Sequence, residues 1–245
     1  MTDSRNATIS KTSKFFLTHL KRHFSKKNAV FLSYNKLMND YLTISQYSAE
    51  EYIINKSRFI GYAAPVSSAE EAVDFINEIR ARHRDATHNV YAYAVRSPEY
   101  SRYSDDGEPQ GTAGVPVLDV IKKSALTDCC VVVTRYFGGI LLGAGGLVRA
   151  YSHSAKLAVE AAGIIRMSLC SVMELSCDYG FYGRVPALLA GFSAVTENTD
   201  FGENVTVRFR IPAEEEKNFS DQLTELSLGR FSALKIAERF DSVEK

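Results

Sequence analysis

The 245-residue chain is 45% hydrophobic and sets 29 basic against 29 acidic side chains. That is enough apolar material for a core that divides between two domains, and the cancelled charge excludes a whole-molecule field drawing the protein to nucleic acid or membrane. Any basic surface has to be local. Four cysteines, Cys129, Cys130, Cys170 and Cys177, include a vicinal pair but no C-x-x-C. Neither a disulfide framework nor a zinc spacing follows, and the cytoplasm is the expected compartment. No apolar run approaches the roughly 20 residues that cross a bilayer, and the first residues lack a signal-peptide core, so no membrane partner is expected.

Residues 1–37 hold eight Lys or Arg against one acid, Asp3. Such a segment reads as a flexible basic extension, although Phe15, Phe16, Leu17 and Leu20 also suit one or two amphipathic turns. Met38 opens M-N-D-Y-L-T-I, which resembles the start of a domain and leaves Met1 and Met38 both open as the start of translation. From Tyr52, Y-I-I-N-K-S-R-F-I-G-Y-A-A-P-V predicts a strand pair. Ser67 or Ser68 then caps a helix in which Ala72, Phe75, Ile76 and Ile79 recur at helical spacing and Glu70 and Glu71 occupy the first turn. N-V-Y-A-Y-A-V-R alternates as a half-buried strand, and Val115–Ala125 predicts a helix entered through Gly114 and Pro116. Cys129–Tyr136 is a continuous apolar run that suits a buried strand. The positions from Leu147 through Val159 predict a long helix ending at Gly163.

Beyond Gly163 the pattern predicts a strand at Leu169–Cys177, a helix at Tyr182–Leu189 and strands at Ser193–Asn198 and Val205–Ile211. A helix from Pro212 and a strand near Ser232–Phe240 follow. This β-α-β-β-α-β order is that of a ferredoxin-like sandwich. The fold class is therefore α/β (α+β), with a first domain over residues 38–166 and a ferredoxin-like second domain over residues 167–245.

Three clusters carry polar chemistry. In R-H-R-D-A-T-H-N-V-Y-A-Y, Asp85 and His88 stand close enough for acid–base work, with His83 beside them; equally, Asp85 braces a loop and His88 orders the next strand. No further cluster completes a metal set, so no metal is expected. In S-D-D-G-E-P-Q-G-T-A-G-V-P, Asp105, Asp106 and Glu108 lie on a turn ahead of a helix for which Thr112 is a candidate cap; they either hold a divalent cation or serve turn chemistry. In R-Y-F-G-G-I-L-L-G-A-G-G-L-V-R-A-Y, Gly138, Gly139, Gly143, Gly145 and Gly146 separate a strand from a helix, where free N–H groups receive phosphate. Arg135 and Arg149 are the accompanying cations. The spacing matches neither G-x-x-x-x-G-K-[ST] nor G-x-G-x-x-G, which excludes the Walker and dinucleotide readings. The competing reading has the glycines serving close packing while both arginines brace acidic turns.

These motifs, together with Y-I-I-N-K-S-R-F-I and in this order, resemble the YigZ/IMPACT family, over roughly Asp40–Ala162; the remainder resembles the second domain of bacterial members. The basic first 37 residues have no counterpart in that pattern. The resemblance implies a first domain with the fold of the second domain of a small-subunit ribosomal protein, shared with elongation factor G and the GHMP kinases. It also implies a second domain like the fifth domain of elongation factor G. Eukaryotic members carry an RWD domain absent here and restrain a stress kinase that regulates translation, a role that depends on that missing domain. A proline dipeptidase activity attributed to some members finds no dinuclear metal set in this chain.

The expected function is a non-enzymatic, translation-associated protein whose partners are RNA, the ribosome or a translation factor, with no cofactor. Phosphate would meet Arg135, Arg149, Gly138, Gly139, Gly145 and Gly146, while Tyr136, Phe137 or Tyr151 stacks on a base. Arg84, Arg96, Arg102, Lys122 and Lys123 would widen the positive surface. The alternatives are a Mg-dependent phosphotransferase or hydrolase built on Asp85, His88, Asp105, Asp106 and Glu108, and a protein-interaction scaffold. Sequence leaves the oligomeric state open.

Overall fold

The computed structural model describes residues 40–96 and 99–242. The basic extension and its candidate amphipathic turns lie outside the described residues. The first sheet is wholly antiparallel, in the order β2-β3-β6-β4-β5. It comprises β2 (Ser48–Ile54), β3 (Ser57–Pro65), β4 (His88–Arg96), β5 (Glu99–Ser104) and β6 (Cys129–Tyr136). Asn55 and Lys56 join β2 to β3 with φ of 46° and 63°, the paired left-handed conformations of a two-residue type I′ turn.

Both faces of this sheet are covered, which explains the unbroken apolar run of β6. Cys130 and Val132 pack with Ile60, Tyr62, Tyr93 and Val95 under α1 (Ala69–Arg82), while Val131 and Val133 pack with Phe59, Ala63, Val90 and Ala92 under α2 (Gly114–Lys123) and α3 (Gly143–Ala162). β4 is therefore buried on both sides, and not half-buried as its alternation suggests. The small Ala92 and Ala94 take the positions where polar residues would stand on an exposed strand. Ser68 caps α1, accepting from the Glu71 N–H at 3.2 Å. Thr112 does not cap α2; its hydroxyl donates to the Pro109 carbonyl, and an upstream aspartate takes its place.

The second sheet contains β7 (Ile164–Cys177), β8 (Val195–Phe201), β9 (Val205–Pro212) and β10 (Ala233–Ser242). The central pair is β7 and β9, with β10 on β7 and β8 on β9, all antiparallel. The short helices α4 (Tyr179–Tyr182) and α5 (Val185–Ala190) replace the single predicted helix. Pro186, at the start of α5, cannot supply the N–H that would continue a helix from α4. α6 (Glu216–Ser227) closes the same face through Phe219 and Leu223. An early strand, β1 (Tyr41–Ile44), pairs with Ile164–Met167 at the start of β7. Residues 165–168, where the sequence places the passage between domains, thus lie inside one continuous strand.

Arg96 connects the two sheets. Its guanidinium lies 4.0 Å from the Tyr41 ring centroid and 4.0 Å from that of Phe240, with Asp128 at 3.5 Å. Expected on an open basic surface, Arg96 is instead held by two rings, where a guanidinium stacks well.

The closest passage between layers is at Gly61 of β3, which lies against α3. A methyl group at this position would stand 2.4 Å from the Ser154 carbonyl oxygen. Gly61→Ala is predicted to lower the unfolding free energy by about 2–3 kcal/mol, measured by urea denaturation.

Candidate functional site

Strand register brings the three clusters to one end of the first sheet. Arg135 on β6 lies opposite His88 on β4 and opposite Phe59 on β3, so these three side chains form a row on the face that α3 covers. Glu108 and Tyr151 reach this row from the β5–α2 loop and from α3. The Glu108 Oε1 atom accepts from Arg135 Nη1 at 2.5 Å and from the Tyr151 hydroxyl at 2.7 Å. His88 Nε2 stands 3.8 Å from the same oxygen. Arg135 and Glu108 are only 5% and 8% exposed, which makes this a buried ion pair. Burial and the Glu108 carboxylate push the Tyr151 hydroxyl pKa far above its usual value, so it remains a donor.

The other two acids are also held by groups within the fold. Asp105 accepts from the N–H groups of Gly111, Ala113 and Gly114 at 2.8–3.1 Å, which caps the start of α2. Asp106, in left-handed conformation at φ 45°, accepts from Arg80 at 2.8 Å and from the Asn89 N–H at 2.6 Å. Its carbonyl accepts from His88 Nδ1 at 2.8 Å. A carbonyl has no proton to give, so His88 carries a hydrogen on Nδ1. Gly107 lies over the ring, where a methyl would stand 3.4 Å from His88 Nδ1.

Asp85 and His88, read together in the sequence, belong to opposite faces. Asp85 accepts from the Tyr136 hydroxyl at 3.2 Å on the α1 side. His83 joins that side, with Nδ1 2.8 Å from the Tyr136 oxygen and Nε2 2.6 Å from the Tyr62 oxygen. Desolvation, reinforced by Arg82 and Arg58, lowers the His83 pKa. Sequence inspection missed the parts of Tyr62, Asn89, Thr134 and Arg80 in these networks. Two signals were available: Thr134 is the one aliphatic hydroxyl within an apolar strand, and Arg80 follows the apolar Ile79. Thr134 donates to the Asn89 side chain at 2.8 Å.

The glycine stretch divides in two. Gly138 lies against the β2–β3 turn, where a methyl would stand 2.0 Å from the Lys56 carbonyl carbon. This position therefore admits glycine alone. Gly139 stands exposed beyond it at φ 84°. Gly143, Gly145 and Gly146 fall inside α3, four residues before the predicted helix start, because the apolar periodicity begins only at Leu147. No side chain caps this end, so the N–H groups of Gly143, Ala144 and Gly145 are free of intrahelical bonds and face solvent. The Arg149 guanidinium folds back beside this turn, 3.7 Å from where a Gly145 methyl would be. Arg149 has no ion pair among the described residues. Phe137, Ile140 and Leu141 are exposed at 44%, 43% and 85%.

The two arginines of the motif thus have different surroundings: Arg135 is turned inward onto Glu108, and Arg149 faces solvent. Tyr151, a candidate stacking ring, is fully buried and reaches no external base. Cys129 and Cys130 are buried, and desolvation pushes the Cys129 thiol up to about 12 and that of Cys130 well above its usual value, so neither offers a thiolate nucleophile. Among the described residues no group of three His, Cys, Asp or Glu is placed to hold a metal ion. No helix among them is long and apolar enough to cross a membrane.

Removing one partner of the buried pair leaves a charge without compensation. Glu108→Ala is expected to cost about 3–5 kcal/mol of stability in chemical denaturation, against about 1 kcal/mol for Tyr151→Phe. The pH dependence has a defined sign. With the folded-state pKa of His83 below its unfolded value, the unfolded chain binds the proton more readily, and stability falls as pH drops through 6.5. His83→Gln is expected to flatten the denaturation midpoint in that window.

Comparison with known proteins places the chain in a family. The Impact N-terminal domain model matches residues 55–159, and that of a domain of unknown function, DUF1949, matches residues 175–230. The chain is 40% identical over 195 residues to "IMPACT family member YvyE" of Bacillus subtilis, covering 79% of this chain and 90% of that protein. It is 37% identical over 188 residues to "IMPACT family member YigZ" of Escherichia coli, covering 76% and 92%. "Protein IMPACT homolog" of Dictyostelium discoideum is 35% identical over 112 residues, 44% of this chain and 31% of that protein. A crystal structure titled as that of a hypothetical protein superposes with a TM-score of 0.53 at 34% identity, covering 82% of this chain and 99% of the other. With its Impact and DUF1949 regions on two antiparallel sheets, the chain belongs to the IMPACT family.

Proposed function

We propose that this protein is a translation-associated binding protein, not a catalyst, and that it receives RNA or another phosphate-bearing ligand at the open end of α3. One observation carries this reading: the three acids of the candidate Mg²⁺ set are already engaged inside the fold. Asp105 is held by three backbone amides, Asp106 by Arg80 and the Asn89 amide, and Glu108 by Arg135 and Tyr151. Coordination of Mg²⁺ would have to displace these bonds, which disfavours the phosphotransferase and hydrolase alternatives.

The α3 end supplies what a phosphate requires. Free N–H groups and the positive end of the helix dipole meet Arg149, and the exposed Phe137 ring gives a base a face to stack on. Arg135 supports the site as a brace, without touching the ligand. Gly138 and Gly139 carry the chain around the hairpin turn so that α3 starts at the surface. The resemblance of this fold to RNA-contacting domains of the translation apparatus supports the same reading.

A salt titration with fluorescently labelled RNA tests it. Arg149→Glu is expected to weaken binding about tenfold and to reduce the slope of log affinity against log salt by about one, with the denaturation midpoint unchanged. An affinity indifferent to Arg149→Glu would overturn the site.

A further inference from the structure

The opposite face of the same sheet end carries a row of rings that the α3 site does not use. Tyr47 stacks on Tyr62 at 6.3 Å and 30° between planes, Tyr62 meets His83 at 5.5 Å, and His83 meets Tyr136 at 5.9 Å. Two arginines flank the row: Arg82 lies 5.7 Å from the Tyr62 centroid and Arg58 5.6 Å from that of Tyr136.

Polar bonds at the ring edges fix this array. Tyr47 accepts from Arg82 at 3.0 Å. Tyr136 donates to Asp85, a carboxylate that can only accept, so the Tyr136 oxygen receives the His83 Nδ1 hydrogen. His83 Nε2 is then left to accept from Tyr62. Tyr62 is 4% exposed and serves as the buried backing of the row, so with the edges bound the faces offered are those of the terminal rings, Tyr47, 46% exposed, and the half-buried Tyr136 beside Arg58. Arg58 and Arg82 are paired with Glu51 and Glu78, but the arginine side chains are 50% and 45% exposed. Surface pairs of this kind contribute little, so a phosphate can replace the carboxylate at small cost.

Ordered ring faces interleaved with exchangeable guanidinium groups are the elements of a single-strand platform: rings take unpaired bases and arginines take the backbone between them. A duplex hides its base faces and has no use for the rings. We propose that the RNA class this protein selects is single-stranded, and that the strand continues from the α3 end around the end of β6 onto the row Tyr47–Tyr62–His83–Tyr136. This inference rests on the RNA reading above and narrows it.

Labelled oligouridylate of about twelve nucleotides and a duplex of equal length test the proposal against the full chain. The chain has 13 tyrosines and no tryptophan, so its intrinsic emission reports the rings themselves. The single strand is expected to bind at least about tenfold more tightly than the duplex and to quench tyrosine emission, which inorganic phosphate does not do. Tyr47→Ala and Arg82→Glu are each expected to weaken the single strand about tenfold, and Tyr47→Phe to retain most of the affinity. Equal affinity for duplex and single strand, or binding unchanged by both Tyr47→Ala and Arg82→Glu, overturns the platform. If Arg149→Glu alone weakens binding, the platform fails while the α3 site stands; if neither RNA binds, both fail. Quenching in the unmodified protein remains informative even where a substitution disturbs folding.

Discussion

A single carboxylate oxygen, Oε1 of Glu108, organises one end of the first sheet. Through it the β5–α2 loop is joined to β6 by Arg135, to α3 by Tyr151 and, at longer range, to β4 by His88. Buried pairs of this type add little net stability over an apolar filling, because desolvation offsets most of the attraction. Their effect is specification: a loop that carries Glu108 can settle in only one place, since any other leaves a charge buried and uncompensated. The neighbouring acids reinforce that placement by holding the loop from both sides, Asp105 at the start of α2 and Asp106 at Arg80 and β4.

This organisation leaves Asp105, Asp106 and Glu108 engaged within the fold. An acid that is to bind a metal or move a proton needs a free lone pair in a space a substrate can enter. Here the lone pairs point at amides, a guanidinium and a phenol, and the loop presses against His88 through Gly107. The groups left facing solvent around the described clusters are of another kind: amide hydrogens of a helix end, the guanidinium groups of Arg149, Arg58 and Arg82, and the ring faces of Phe137 and Tyr47.

Much of this was legible in the sequence because local pattern and tertiary structure agree. The span of β6 follows from its apolar run, the α1 cap from the Ser67–Ser68 pair, of which Ser68 is used, the end of α3 from Gly163, and the second sheet from its alternating strands. Errors arose where the deciding partner lies far along the chain. β1 and β5 are short and polar at many positions, and only pairing with β7 and β4 makes them strands. The start of α3 is hidden by glycines, which carry no apolar periodicity. The site divided in the same way. Sequence could pose the contest between phosphate and acids for Arg135 and Arg149, yet only register, which sets Arg135 between His88 and Phe59, gives the two arginines different answers. Tyr151 is indistinguishable in pattern from any other buried helix residue until Glu108 is found above it.

The seat of Arg96 has a mechanical consequence. The Arg96 guanidinium lies against the broad, weakly directional faces of Tyr41 and Phe240, whereas its backbone N–H makes a directional hydrogen bond to Asp128 at 2.7 Å. A small change in the angle between the guanidinium and either ring costs no hydrogen bond, because the contact is with ring faces.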